Sequence, residues 1–254
     1  MGMFQNCDTL TSLPIISATT LTSGSCYEMF KDCDGLTSIT NFPTTNTDYA
    51  CFAYMFKDCK SLITAPALPA TGLAPFCYDQ MFAGCTALSS VTSLPALDLA
   101  ENCYQFMFMG CTSLSTTPTL PATGLASGCY QYMFSGCTNL TVAPNLPATE
   151  LADSCYRNMF SDCSSLTSIP VLPATELKQL CYANMFENCE SLTNVTVPLA
   201  NTFKYRCYAM MFQGCTALSS ITVSFTDWNL ESNVTENWVN GVANNGTFVK
   251  PITL

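Results

Sequence analysis

The stretch CYQYMFSGCTNLTVAPNLPATEL, Cys129–Leu151, decides the fold. Two cysteines, a Met-Phe pair and a Leu-Pro step are crowded into it. A single copy could be a metal site, a disulfide framework, a catalytic thiol or packing. The rest of the chain shows that it is a repeat. Phenylalanine falls at Phe4, Phe30, Phe56, Phe82, Phe108, Phe134, Phe160, Phe186 and Phe212, always 26 residues apart. Cysteine keeps the same step from Cys7 to Cys215, and leucine from Leu10 to Leu218. Three columns in register through nine copies mark a chain built by stacking one small unit. A second cysteine column runs from Cys26 to Cys207 with one slip, in CYEMF, where other copies read C-Y/F-x-x-M-F. The two columns hold all 17 cysteines, so any special role for one must be argued against that background.

Composition narrows the function. The 254 residues are 48% hydrophobic and 10% charged, far from a disordered composition. Net charge is −10, and the eight Lys and Arg are scattered from Lys31 to Lys250. Such a surface repels phosphate backbones, which argues against nucleic acid. Histidine is absent, so the commonest general base and metal ligand is missing. No apolar run has the length of a membrane span, and no signal peptide is visible at Met1.

Each unit reads as two halves. In the copy at Cys155, Cys155, Tyr156, Met159, Phe160 and Cys163 lie at i, i+1, i+4, i+5 and i+8. This spacing predicts a helix of about two turns, capped by Asp153 or Ser154. In LTSIPVL, Leu166, Ile169 and Leu172 recur at steps of three, as in a strand bending round a core. Pro170 and Pro173 forbid a helix there, and Leu177 is a further inward anchor. One unit is too small to bury its own apolar face. Stacked units bury it, with equivalent strands paired in parallel about 4.8 Å apart.

The pattern M-F-x-x-C-x-x-L-x-x-[IVA] with its Leu-Pro step resembles the BspA-like leucine-rich repeat, over roughly residues 1–224. The unit here is longer, has Met-Phe where Ala-Phe is common, and adds the Cys-Tyr pair. The resemblance implies an α/β leucine-rich-repeat solenoid with a parallel strand ladder and short helices. It also implies display at a cell surface, adhesion to host or microbial ligands, and no catalytic residues.

The ends differ from the middle. ESNVTENWVNGVAN places Val234, Trp238 and Val242 at helical spacing, with Ser232 or Asn233 as N-cap and Asn244–Gly246 as stop. TFVKPITL reads as a terminal strand, and both tryptophans, Trp228 and Trp238, lie nearby. Residues 225–254 are therefore expected to cap the solenoid of residues 1–224. At the other end Met1–Phe4 begins inside a repeat, so an upstream domain or a partner is expected to cover that rung.

Several constellations look chemical, and each has a plainer reading. Cys155 and Cys163 on one helix stand about 12 Å apart, beyond disulfide reach. Stacked cysteines of successive copies point alongside each other, so packed free thiols are expected. C-x6/7-C without histidine does not suit zinc, and no cysteine has a base beside it. The tyrosines from Tyr78 to Tyr208, with Phe52 in the same column, read as core with hydroxyls at the rim, against a sugar-stacking stripe. The varying acids Asp32, Asp58, Asp162, Glu150 and Glu176 form no calcium loop. Four sequons, at Asn139, Asn194, Asn233 and Asn245, matter only in a eukaryotic secretory pathway.

The functional candidates are the hydroxyls that follow each leucine: Thr37, Ser38, Ser89, Ser90, Ser115, Thr116, Thr141, Thr167, Ser168, Thr193, Ser219 and Ser220. They are expected to project from the strand face and to bind a protein or a glycan, although Ser and Thr also simply suit an exposed ladder. The expected product is a non-catalytic binding or display module without cofactor, catalytic residue or metal. It is expected to be adhesin-like, bacterial, and held at the cell surface or secreted through a segment outside this chain. The alternative is a structural subunit of a phage or cell-envelope assembly, docking through its open N-terminal rung.

Overall fold

Phenylalanines spaced 26 residues apart stack face to face in one file through the molecule. Neighbouring rings from Phe4 to Phe212 are 5.3–5.8 Å apart and within about 11° of parallel. The computed structural model describes residues 2–13, 21–39, 42, 47–197, 200, 202–225 and 233–251. A second file of rings runs beside the first, from Phe52 through Tyr78, Tyr104, Tyr130, Tyr156 and Tyr182 to Tyr208. Met, Leu and both cysteine columns fill the space around them; Cys77, Met81, Phe82, Cys85 and Leu88 have no exposed surface. Each fully buried Phe or Leu contributes about 1.5–3 kcal/mol, which one rung alone cannot realise.

The Cys-to-Cys half of each unit is not a helix, and no helix occurs among the described residues. It is a ribbon of overlapping four-residue turns. In the fourth copy, Phe76, Tyr78, Gln80, Phe82 and Gly84 donate their N–H to carbonyls of the next rung, from Glu101 to Met109, at 2.8–3.0 Å. The alternating residues Cys77, Asp79, Met81, Ala83 and Cys85 donate three residues back within the ribbon, at 3.1–3.3 Å. Half the donors therefore tie one rung to the next, whereas a helix keeps its bonds to itself. Every fourth residue has a left-handed φ, as at Ser154 (57°), Asn158 (56°) and Asp162 (61°). The spacing i, i+1, i+4, i+5, i+8 thus has a period of four, not 3.6. Ser154 does not cap a helix, and the Asp153 Oδ1 accepts the Gln179 N–H of the next rung at 3.0 Å.

A second side of each rung forms the parallel strand ladder. Single bridges join Ser38 to Thr64, Thr64 to Ser90 and Val142 to Ser168. Among the described residues longer strands form only late: β1 (Asn194–Val197), β2 (Ser220–Val223) and β3 (Thr247–Val249), in the order β1-β2-β3, all parallel. The cause is readable. The bridged copies at Thr64, Val142 and Ser168 place Pro66, Pro144 and Pro170 two residues on, where proline lacks a donor, although the Ser90 copy has Thr92 there. The later copies place Thr196 and Thr222 there, among β-branched neighbours. A third side carries the bridges Asp98–Gly124, Glu150–Glu176 and Glu176–Thr202.

The expected terminal helix is also a ribbon. Tyr208, Met210, Phe212 and Gly214 donate N–H to the carbonyls of Val234, Glu236, Trp238 and Asn240 at 2.7–3.0 Å. Asn237 and Gly241 take the left-handed positions. Val234, Trp238 and Val242 therefore stand in the Cys, Met and Cys columns of a divergent further rung, which β3 completes. Trp238 packs against Tyr208 and Phe212, each at 6.4 Å. Trp228 and Ser232 lie outside the described residues.

Candidate functional site

The strand ladder sets out the hydroxyl candidates in two files. Thr37, Ser89, Ser115, Thr141, Thr167, Thr193 and Ser219 form one; Ser38, Ser90, Thr116, Ser168 and Ser220 form the other. All are exposed except Ser89 and Ser220, which are half-buried. Their backbones are tied together: Thr167 N–H bonds the Thr141 carbonyl at 3.1 Å, and Ser219 N–H bonds that of Thr193 at 3.0 Å. Some side chains join in. The Thr167 hydroxyl donates to the Thr141 carbonyl at 3.1 Å, and the Ser89 hydroxyl to Ile63 at 3.3 Å. Their oxygens keep lone pairs as acceptors.

The files are not pure. Thr64 and Asn194 belong to the second file through the bridges to Ser38 and Ser90 and the pairing with Ser220. Ile63 and Val142 interrupt the hydroxyls, exposed at 50% and 60%. Ile63, Val142 and Asn194 carry no hydroxyl and so give no such signal in the sequence, and Thr64 follows Ile63; a 26-residue step from Thr37, Ser38, Thr116 or Ser168 lands on all four. A shallow groove beside Val171 is lined by Ser168, Ile169, Pro170, Asn194 and Thr196, where single bridges give way to β1.

The interior is chemically quiet. All 17 cysteines are free thiols, and only Cys7 is not buried. Burial pushes the thiols up, to about 12 for Cys59 and Cys77 and well above the ordinary value for Cys85 and Cys111. A thiol held in its neutral form is a poor nucleophile. No group of three or more His, Cys, Asp or Glu side chains suited to a metal ion occurs among the described residues. The tyrosine column is core, but its hydroxyls do not all reach the rim: those of Tyr78, Tyr156 and Tyr182 are buried without a partner. Desolvation raises their pKa values accordingly. Among the described residues no helix is long and apolar enough to cross a membrane.

Comparison with known families matches the BspA type leucine rich repeat region in six copies, over residues 1–92, 78–181 and 145–238. No curated protein matches the chain. Among solved structures, the crystal structure of a leucine-rich repeat protein from Bacteroides ovatus ATCC 8483 aligns with a TM-score of 0.46 and 16% identity. The alignment covers 94% of this chain and 70% of that one.

Proposed function

This chain belongs to the BspA-type leucine-rich repeat family, and from that premise we propose that it is a non-catalytic binding module whose strand face recognises a macromolecular ligand. One observation carries the reading: the exposed file Thr141, Thr167, Thr193 and Ser219, held in register by the backbone ladder. Rigid placement lets weak contacts add across rungs without a large ordering cost. The exposed Ile63, Val142 and Val171 in and beside the hydroxyl files favour a protein ligand over a glycan, because apolar side chains among polar ones are the makings of an interface. In this reading residues 1–224 carry the surface and 225–254 close it. The protein is adhesin-like, displayed on or released from a bacterial cell, and held by a segment outside this chain.

The test is a protein and glycan array probed with the wild type and with Thr141→Lys/Thr167→Lys/Thr193→Lys. The side chains are exposed, so the variant folds, which its thermal transition verifies. The expected result is a protein ligand bound by the wild type and lost by the variant. No protein ligand on the array, or equal binding of every protein ligand by both proteins, sinks the reading.

A further inference from the structure

The outer face of the turn ribbon carries rings that the repeat does not require. The left-handed residues run along it in three files. In the file before the second cysteine, every copy from Asn6 to Gly214 is Asn, Asp or Gly, the residues that accept this conformation most readily. The other two files are looser, and at Tyr54 (φ 59°) and Phe76 (φ 57°) they hold bulky aromatic residues. Both are half-buried, so neither ring is part of the sealed core. A disfavoured backbone conformation kept at a surface position points to a use for the side chain.

The use is visible in the neighbouring rung. Tyr54 lies against Tyr27, with centroids 5.2 Å apart and planes at 53°. Phe76 lies against Tyr49 in the same way, at 5.6 Å and 56°. Each of these two rings props an outer tyrosine, and the propped pair are 36% and 52% exposed; the other left-handed rings, Phe106 and Tyr132, stack on each other at 4.6 Å. Other copies place Ala, Asp, Gln or Arg where Tyr27 stands, and Ser, Pro, Glu, Asp or Gln where Tyr49 stands, with one further tyrosine at Tyr205. The ground beside the rings is polar and fixed. Lys57 Nζ donates to Gln80 Oε1 at 2.8 Å, and Gln80 Nε2 donates to the Tyr54 hydroxyl oxygen at 2.9 Å.

We propose that the propped pair Tyr27 and Tyr49, with the Lys57–Gln80–Tyr54 chain beside them, is a binding site for a neutral polysaccharide. A pyranose ring has a C–H face that packs on an aromatic ring and a rim of hydroxyls that bonds amide, phenol and ammonium groups. Tyrosine supplies broad contact with few rotors to freeze. The net charge of −10 disfavours acidic glycans. A protein interface needs a wider apolar centre than two rings on polar ground provide. An extended sugar chain advances by about one rung per residue, so neighbouring rungs meet neighbouring sugars. The site is separate from the strand face and does not depend on it.

The test is affinity electrophoresis of the full chain in native gels containing hydroxyethyl cellulose, glucomannan or galactomannan. Wild type is expected to be retarded by at least one of them, and Tyr27→Ala/Tyr49→Ala to run as in an empty gel. Tyr54→Asn/Phe76→Asn removes the props and relieves the backbone at once. It is expected to weaken retardation about tenfold, the worth of roughly one aromatic contact, while its melting temperature stays level or rises. Thr141→Lys/Thr167→Lys/Thr193→Lys, assayed beside its own polysaccharide-free gel, is expected to be retarded as wild type is, which separates this site from the strand face. The proposal is overturned if no polysaccharide retards the wild type, if either aromatic double variant is retarded as strongly as wild type, or if Tyr54→Asn/Phe76→Asn lowers the melting temperature.

Discussion

The Cys59 thiol donates to the carbonyl oxygen of Phe30, 29 residues earlier, at 3.1 Å. The same bond recurs from Cys85 to Phe56, Cys111 to Phe82, Cys137 to Phe108 and Cys163 to Phe134. Cysteine is therefore a small apolar filler that also satisfies the second lone pair of a carbonyl in the preceding rung. Thiols used in this way are shielded. Ellman's reagent at about pH 8 is expected to modify Cys7 alone in the folded chain and all 17 thiols after denaturation. Rapid native modification of several thiols would show that the rungs are not sealed.

The same thiols make the fold alkali-sensitive, and the sign follows from the direction of their shifts. Burial raises the folded-state values above the ordinary 9, to about 12 for Cys59, Cys77, Cys163 and Cys215. The folded chain keeps protons that the unfolded chain has lost. Stability is thus fully present below about pH 9 and falls as pH rises towards the folded-state values. Each such thiol costs up to about 1.4 kcal/mol per pH unit. With sixteen of them buried, the loss matches an ordinary domain stability of about 5–15 kcal/mol within roughly one unit. Under reducing conditions, circular dichroism should show cooperative unfolding near pH 10. A chain that remains folded at pH 11 contradicts this account.

Glycine in the file before the second cysteine separates two costs. At Gly110 (φ +72°) an added Cβ meets nothing closer than 3.9 Å, so Gly110→Ala bears only the left-handed backbone, about 1 kcal/mol. At Gly214 (φ +73°) the Cβ would fall 2.1 Å from the Asn188 Oδ1. Gly214→Ala should therefore cost more than Gly110→Ala in urea unfolding, and Asn188→Gly should recover the difference. Equal costs for the two alanine variants would show that the Asn188 side chain simply moves aside.

Asp79 is a second titration probe. Its carboxyl is buried on the ribbon near Tyr54, Gln80 and Lys57, and desolvation raises it to about 6 despite their opposing influence. The folded state prefers the protonated form, so the stability it contributes is present in acid and is lost as pH rises through about 6. Asp79→Asn should raise the melting temperature at about pH 8 and leave it nearly unchanged at about pH 4. A gain of the same size at both values would rule out ionisation as the cause.

The stacking was legible because side chains 26 residues apart share one environment, and that repetition is printed in Phe, Cys and Leu. The ribbon was not, because two turns are too few to separate a period of four from 3.6. The discriminating signal lay in polar residues: Asn6, Asp32, Asp58, Gly84 and their equivalents suit a left-handed backbone and have no reason to recur at one helix position. The strand face was partly legible: Ile63, Val142 and Asn194 carry no hydroxyl and give no such signal, while Thr64 stands in register with Ser38 and Ser90 behind Ile63. The propped tyrosines were invisible for a different reason. They break the repeat, and only coordinates show that Tyr54 sits under Tyr27.

Stacked rungs communicate mainly with their neighbours, which makes the terminal one separable. Trp238 is 9% exposed and closes both aromatic files through Tyr208 and Phe212. Truncating a buried tryptophan costs about 3–5 kcal/mol, more than one terminal rung can hold without its neighbours. Trp238→Ala should therefore open the last rung while the stack beneath persists. The amides of Tyr208, Met210, Phe212 and Gly214, which donate into that rung, should then exchange hydrogen faster. Those of Phe82, Phe108 and Phe134, several rungs away, should exchange at the wild-type rate. Uniform acceleration along the whole chain would mean that the solenoid unfolds as one cooperative body and that the last rung is part of its folding unit rather than a cover upon it.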